Sequence, residues 1–157
     1  MLPAGGNTIV QVKELRDYDG QKRWAVVFGT GEEVTSGLSG LARVHKLSGA
    51  HFTGIGALQT AVLGFFDIAH REYRRFGVDE QVEVLSLVGN IAREDDQPRV
   101  HAHIVLGRFN GATLGGHLLV AHVRPTLELV VVETPEHLRR RFDPSTGLAL
   151  LDLSPED

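Results

Sequence analysis

The sequence predicts a fold of the α/β (α+β) class: a mainly antiparallel mixed sheet, one principal helix packed on it and a short C-terminal helix. Three observations lead there: one early stretch of helical periodicity, five strand-like apolar stretches after it, and glycine or proline at the breaks between them. At 157 residues the chain has the length of one domain, taken as 1–157 with a core of about 8–134 and an extension over 135–157. A folded chain of this size buries about 70% of the surface its unfolded form exposes, so it needs neither a disulfide nor a structural metal to stay folded. A bound metal would then serve chemistry, recognition or assembly.

The elements follow in order. Residues 8–15 alternate apolar with polar after Ile9, residues 23–28 form a second apolar run, and Asp19-Gly20 supplies a turn between them, which reads as an opening hairpin. Thr30 followed by Glu33 is a capping-box pattern, and Val34, Leu38, Leu41 and Leu47 continue at helical spacing toward Gly49, with Gly37 and Gly40 weakening the helix. Strands are expected over 57–66, 81–92, 100–107, 113–123 and 127–133. Leu127 to Val132 is nearly continuous in apolar side chains, as in a strand covered on both faces. Thr134 as N-cap and Pro135 at the first helical position predict the short C-terminal helix, with Arg139, Arg140 and Arg141 at its solvated end. A turn at 143–147 and a short apolar stretch over 148–151 close the chain.

Composition excludes several functions. There is no cysteine, hence no disulfide, no thiolate ligand and no thiol nucleophile. The net charge is -4, from 16 basic and 20 acidic residues, and the basic ones are dispersed apart from the arginine triplet. Direct, salt-sensitive DNA binding is therefore not expected, because it depends on clustered cations. No apolar run reaches membrane-spanning length, and residues 1–7 lack a signal-peptide pattern, so a cytoplasmic protein is expected. Gly54-Ile55-Gly56 lacks the third glycine of a dinucleotide fingerprint, Gln59 standing there, and reads as a tight bend. There is no nucleophile elbow and no phosphate-binding loop, so no catalytic residue is assigned.

Histidines carry the chemistry. His101 and His103 lie two apart in a strand-like segment, so both side chains leave one face with about 6.5–7 Å between their Cα atoms. If Phe109-Asn110-Gly111 forms a three-residue hairpin loop, residue 103 falls opposite His117; a two-residue turn would instead set Ile104 there, on the wrong face. Three imidazoles converging this way suit a divalent transition metal, Zn²⁺ first, with one position left for water or a ligand. Gly115-Gly116 before His117 permits a bulge or a close approach. His122 is odd-spaced from His117 and points elsewhere, and His45, His51, His70 and His137 lack partner spacing. Asp67 and Glu128, in or beside apolar strands, each call for a polar partner.

Gly54 to Leu58 with Leu63 to Asp67, Glu83 to Ile91, and His101-Ala102-His103 with Gly115 to Leu118 together resemble the plants-and-prokaryotes conserved (PPC) domain, over about residues 8–134. The resemblance implies an antiparallel-rich fold, a homotrimer, and metal binding by the matching histidines. In plants this domain follows an AT-hook; no Arg-Gly-Arg-Pro core occurs in this chain, which looks like a stand-alone bacterial member. The plant partner-contacting segment resembles Glu83 to Ser86, but Gln81 stands where an arginine is expected.

The first functional reading is a metal-binding homotrimer that recognises a small ligand or a protein partner. The second is a hydrolytic or lyase-type enzyme in which an open-coordinated ion works with Glu128 or Asp67. The third is a DNA-associated transcriptional regulator.

Overall fold

A computed structural model describes residues 10–15 and 20–155. β1 (Gln11–Leu15) pairs antiparallel with β2 (Arg23–Gly29), so the opening hairpin is present. Residues 8 and 9 of its first strand and Asp19 of its turn lie outside the described residues.

β3 (Gly49–Asp67), β5 (Val82–Glu94), β6 (Gln97–Gly107) and β7 (Thr113–Glu133) form the centre. β5 pairs with β3 and β6, β6 pairs with β7, and β7 returns to β3, so the hydrogen bonding of these four antiparallel strands closes on itself. β2 adds to β7, and β4 (Glu72–Val78), which sequence patterning missed, folds back on the end of β3. The two strands expected at 113–123 and 127–133 run on as the single β7. Bends come from register shifts, one of them between Gly54 and Gly56, the predicted tight bend.

The principal helix, α1 (Val34–Val44), packs on β6 and β7 and buries Val34, Leu38 and Leu41 at the expected spacing. Its cap differs from expectation. Glu33, not Thr30, caps it: the Glu33 carboxylate accepts from the Thr35 N–H at 3.1 Å and the Ser36 N–H at 2.7 Å. Burial opposes that charge, but the bonds from Ser36 and Thr35 outweigh it and hold the carboxyl below its usual range. Thr30 instead donates its hydroxyl to the Pro125 carbonyl at 3.3 Å. Under the helix lies a core with Trp24, Phe28, Phe52 and Leu58 fully buried. No helix among the described residues is long and apolar enough to cross a membrane.

Two expectations are overturned. Leu127, Leu129 and Val131 are buried while Glu128 and Val130 are exposed, so within the chain this strand is covered on one face only. The short C-terminal helix is absent. β3 pairs no further than Gly49 opposite Ala92, and the backbone beyond takes a new partner: the Arg93 N–H donates to the Leu138 carbonyl at 2.8 Å, and the Leu138 N–H to the Ser48 carbonyl at 3.0 Å. Drawn to that edge, residues 139–152 form the hairpin of β8 (Arg139–Asp143) and β9 (Leu148–Asp152), joined in parallel to β5 at Arg93. The arginine triplet is thus a strand, not a helix end.

Candidate metal centre

His101 and His103 leave the same face of β6, and His103 is the direct cross-strand partner of His117 on β7. The register follows from the three-residue loop: the Arg108 N–H donates to the Ala112 carbonyl at 2.9 Å, and Gly111 takes φ +81°, a left-handed conformation that glycine adopts without strain. Gly116, next to the third histidine, allows a close strand approach, since a Cβ there would stand 2.9 Å from the Gly64 carbonyl oxygen. The ring centroids are 5.1–5.4 Å apart. One ligating nitrogen from each ring lies within 4.8 Å of the others, and the His101 and His103 Nε2 atoms are 3.2 Å apart.

The electrostatics favour neutral rings at His101 and His117. Burial, followed by the cations that His101, His103 and Arg140 would present, pushes the His117 pKa down to about 4. His101 is lowered by burial, then by Arg140 and His103. His117 Nδ1 is buried with no hydrogen-bond partner, and the Tyr73 ring covers that imidazole at 4.8 Å between centroids. An orphaned His117 nitrogen in a cluster of three imidazoles fits a divalent first-row ion, whose ligating form of histidine is the neutral one.

The other histidines stand apart. His122 does not lie on the opposite face from His117 as its odd spacing predicts, because a register shift adds Leu119 to β7 between them; it sits further along the strand beside Thr60, whose Oγ1 is 3.4 Å from its Nδ1. His45 packs on Trp24, His70 bonds Asp67 at 2.9 Å, His137 contacts Ser48, and His51 is exposed. Asp67 has its expected partners in His70 and Arg74, whereas Glu128 meets solvent and needs none. Neither carboxylate lines the cavity of about 700 Å³ beside the three histidines, so neither stands ready as an auxiliary acid or base there. The carboxylate that does is Glu94, which accepts from Arg99 at 2.9 Å.

Arg140, Tyr73 and Asn90 are additions that sequence reasoning missed. Arg140 donates to Asn90 Oδ1 at 2.7 Å and approaches His101 Nδ1 at 3.2 Å. Strand alternation within the arginine triplet, which sends the middle residue to the face opposite its neighbours, was the available signal.

The family model of the Plants and Prokaryotes Conserved (PCC) domain matches residues 16–135. Among solved structures, a candidate DNA-binding protein from Bacteroides thetaiotaomicron is 28% identical, with 92% of this chain and 97% of that one covered and a TM-score of 0.85. A metal-containing protein from Archaeoglobus fulgidus is 29% identical over 91% of this chain and 97% of that one, with a TM-score of 0.77. A plant- and prokaryote-conserved protein from Pyrococcus horikoshii is 26% identical, covering 99% of this chain and all of that one, with a TM-score of 0.79. The bifunctional protein GlmU of Synechococcus sp. (strain JA-3-3Ab) is 28% identical over 120 residues, and this match spans only 18% of its length.

Proposed function

The chain belongs to the Plants and Prokaryotes Conserved domain family, and on that premise we propose that it is a metal-binding module holding one divalent ion, Zn²⁺ by preference, on His101, His103 and His117. The observation that carries this reading is the convergence of three imidazole nitrogens within 4.8 Å of one another. The metal-containing relative from Archaeoglobus fulgidus supports it. Zinc on three histidines keeps a fourth position that can polarise an oxygen of a ligand. The chain's own part is to keep the His101 and His117 rings neutral by burial, to hold the three rings through β6–β7 pairing, and to leave the cavity open beside them. The cavity's carboxylate is already paired with Arg99, which favours recognition of a small ligand or a protein partner over catalysis that relies on that carboxylate.

Assembly as a homotrimer belongs to the same reading. Ile55, Leu85, Val88 and Val130 are 62%, 52%, 48% and 44% exposed and border one cleft, an apolar surface that contact between chains would remove from water.

The test is elemental analysis after zinc reconstitution and dialysis, with about one retained ion per chain expected; a chain that retains none sinks the reading. The Bacteroides relative favours a second reading, association with DNA. Gel-shift titration separates the two: binding below micromolar with a steep loss on added salt would establish the second.

A further inference from the structure

Arg140 is half-buried and has no carboxylate in contact among the described residues, and Glu94 acts on it only through space. Its neighbours are matched: Arg139 and Arg141 both reach Asp152, and Arg99 reaches Glu94. Arg140 has neutral partners only, namely Asn90 Oδ1 at 2.7 Å, the Ala149 carbonyl at 3.0 Å and His101 Nδ1 at 3.2 Å. Its Nε is buried and makes no hydrogen bond. Taking such a charge out of water is costly, and dipoles compensate it less well than an opposite charge does. Burial accordingly lowers the Arg140 pKa, with Glu94 and Tyr73 acting the other way.

Alternation along β8 turns Arg140 away from Asp152 and makes it part of the wall of the 700 Å³ cavity. Phe66, Leu148 and Leu150 line that cavity too. The space therefore offers a guanidinium with no carboxylate in contact, Glu94 being held by Arg99, and an apolar wall. We propose that it binds a small organic carboxylate, with the carboxylate group on Arg140 and the hydrocarbon part against Phe66, Leu148 and Leu150. A guanidinium matches a carboxylate with paired, charge-assisted hydrogen bonds. Inorganic phosphate would meet the same cation but leave the apolar wall wet. The inference names the ligand class of the site proposed above, and it rests on that reading only for whatever the ion adds.

The experiment is calorimetric titration of 3-phenylpropionate into the full chain, zinc-free and zinc-loaded, with 3-phenylpropionamide and inorganic phosphate as controls. The acid is expected to bind both forms, and the amide about tenfold more weakly or worse, because hydrogen bonds to a charged group are the stronger ones. Arg140→Gln should cost about tenfold or more in the zinc-free chain. Asn90→Asp sets a carboxylate against Arg140 without changing side-chain shape, and should weaken the acid by a similar factor even if Arg140→Gln fails to fold. No binding by the zinc-free chain, equal affinity for acid and amide, undiminished affinity in Asn90→Asp, or phosphate binding as tight as the acid overturns the proposal. Absence of zinc binding alongside Arg140-dependent acid binding would remove the metal reading and leave this one standing.

Discussion

His103 and His117 are direct cross-strand partners whose rings stand nearly perpendicular, at 87°, with centroids 5.4 Å apart. His101 joins them from two residues back on the same strand face, so removing it together with His103 leaves one imidazole. The double substitution His101→Ala with His103→Ala should abolish stoichiometric zinc binding, while His122→Ala, on a side chain facing Thr60, should leave it unchanged. Undiminished zinc heat from the double variant would eliminate the site.

The zinc-free chain should lose stability as the pH falls from about 6.5 toward 4. His117 has its pKa pushed down to about 4, and His101 is lowered as well, so over that window the unfolded chain binds more protons than the folded one. Stability from this source is complete above the unfolded imidazole pKa and disappears as the pH drops through the folded value. Thermal melts across that range should show a slope that His117→Gln reduces; identical slopes would contradict the burial argument.

Arg140 should act against the metal. Its positive charge sits beside His101 and its N–H group faces the His101 Nδ1 lone pair, so the guanidinium occupies that ring much as a cation would. Arg140→Gln is expected to tighten zinc binding by about threefold or more while weakening the carboxylate. Competition against a zinc indicator measures the first effect, and weaker zinc binding in the variant would reverse the assignment.

Two glycines of α1 should respond oppositely to alanine. A Cβ at Gly40 meets nothing within 4 Å, so Gly40→Ala should stabilise by about 0.5–1 kcal/mol through helix propensity. A Cβ at Gly37 would collide with the Phe28 ring, which is fully buried and has no room to yield, so Gly37→Ala should lower the melting temperature despite the same gain in propensity. Equal shifts in the two melts would show that α1 does not pack on Phe28 this closely.

Val88→Asp should dissociate the proposed trimer while leaving the circular dichroism of the fold intact, since Val88 is exposed within one chain and would be buried only between chains. Light scattering reads the change directly. A wild-type monomer at micromolar concentration would refute the assembly.

Much of the site was legible because it is local. The spacing of His101 and His103 puts both on one face by strand period alone, and counting outward from the three-residue loop at Phe109 to Gly111 reaches His117 without any knowledge of the rest of the fold. The helix stripe of Val34, Leu38 and Leu41 is local in the same way. Its cap was misplaced because Thr30 and Glu33 both carry capping side chains; distant backbone decided between them, with the Pro125 carbonyl engaging Thr30 and the Ala121 N–H donating to Glu33 at 3.2 Å.

Local patterning accounts for the class of fold, the single helix with its buried face, and the three histidines that face one another across a hairpin. What surrounds them depends on contacts between distant parts of the chain. Residues 135–141 carry helix-start and helix-end signals, yet the open backbone at Arg93, more than 40 positions earlier, offered hydrogen bonds that a short helix could not match, and the segment became a strand. That exchange turned a row of three arginines into two that serve Asp152 and one that faces His101 and the cavity. Periodicity reports which side chains share a face, whereas the identity of the opposing surface depends on which strand edge the rest of the chain leaves unpaired.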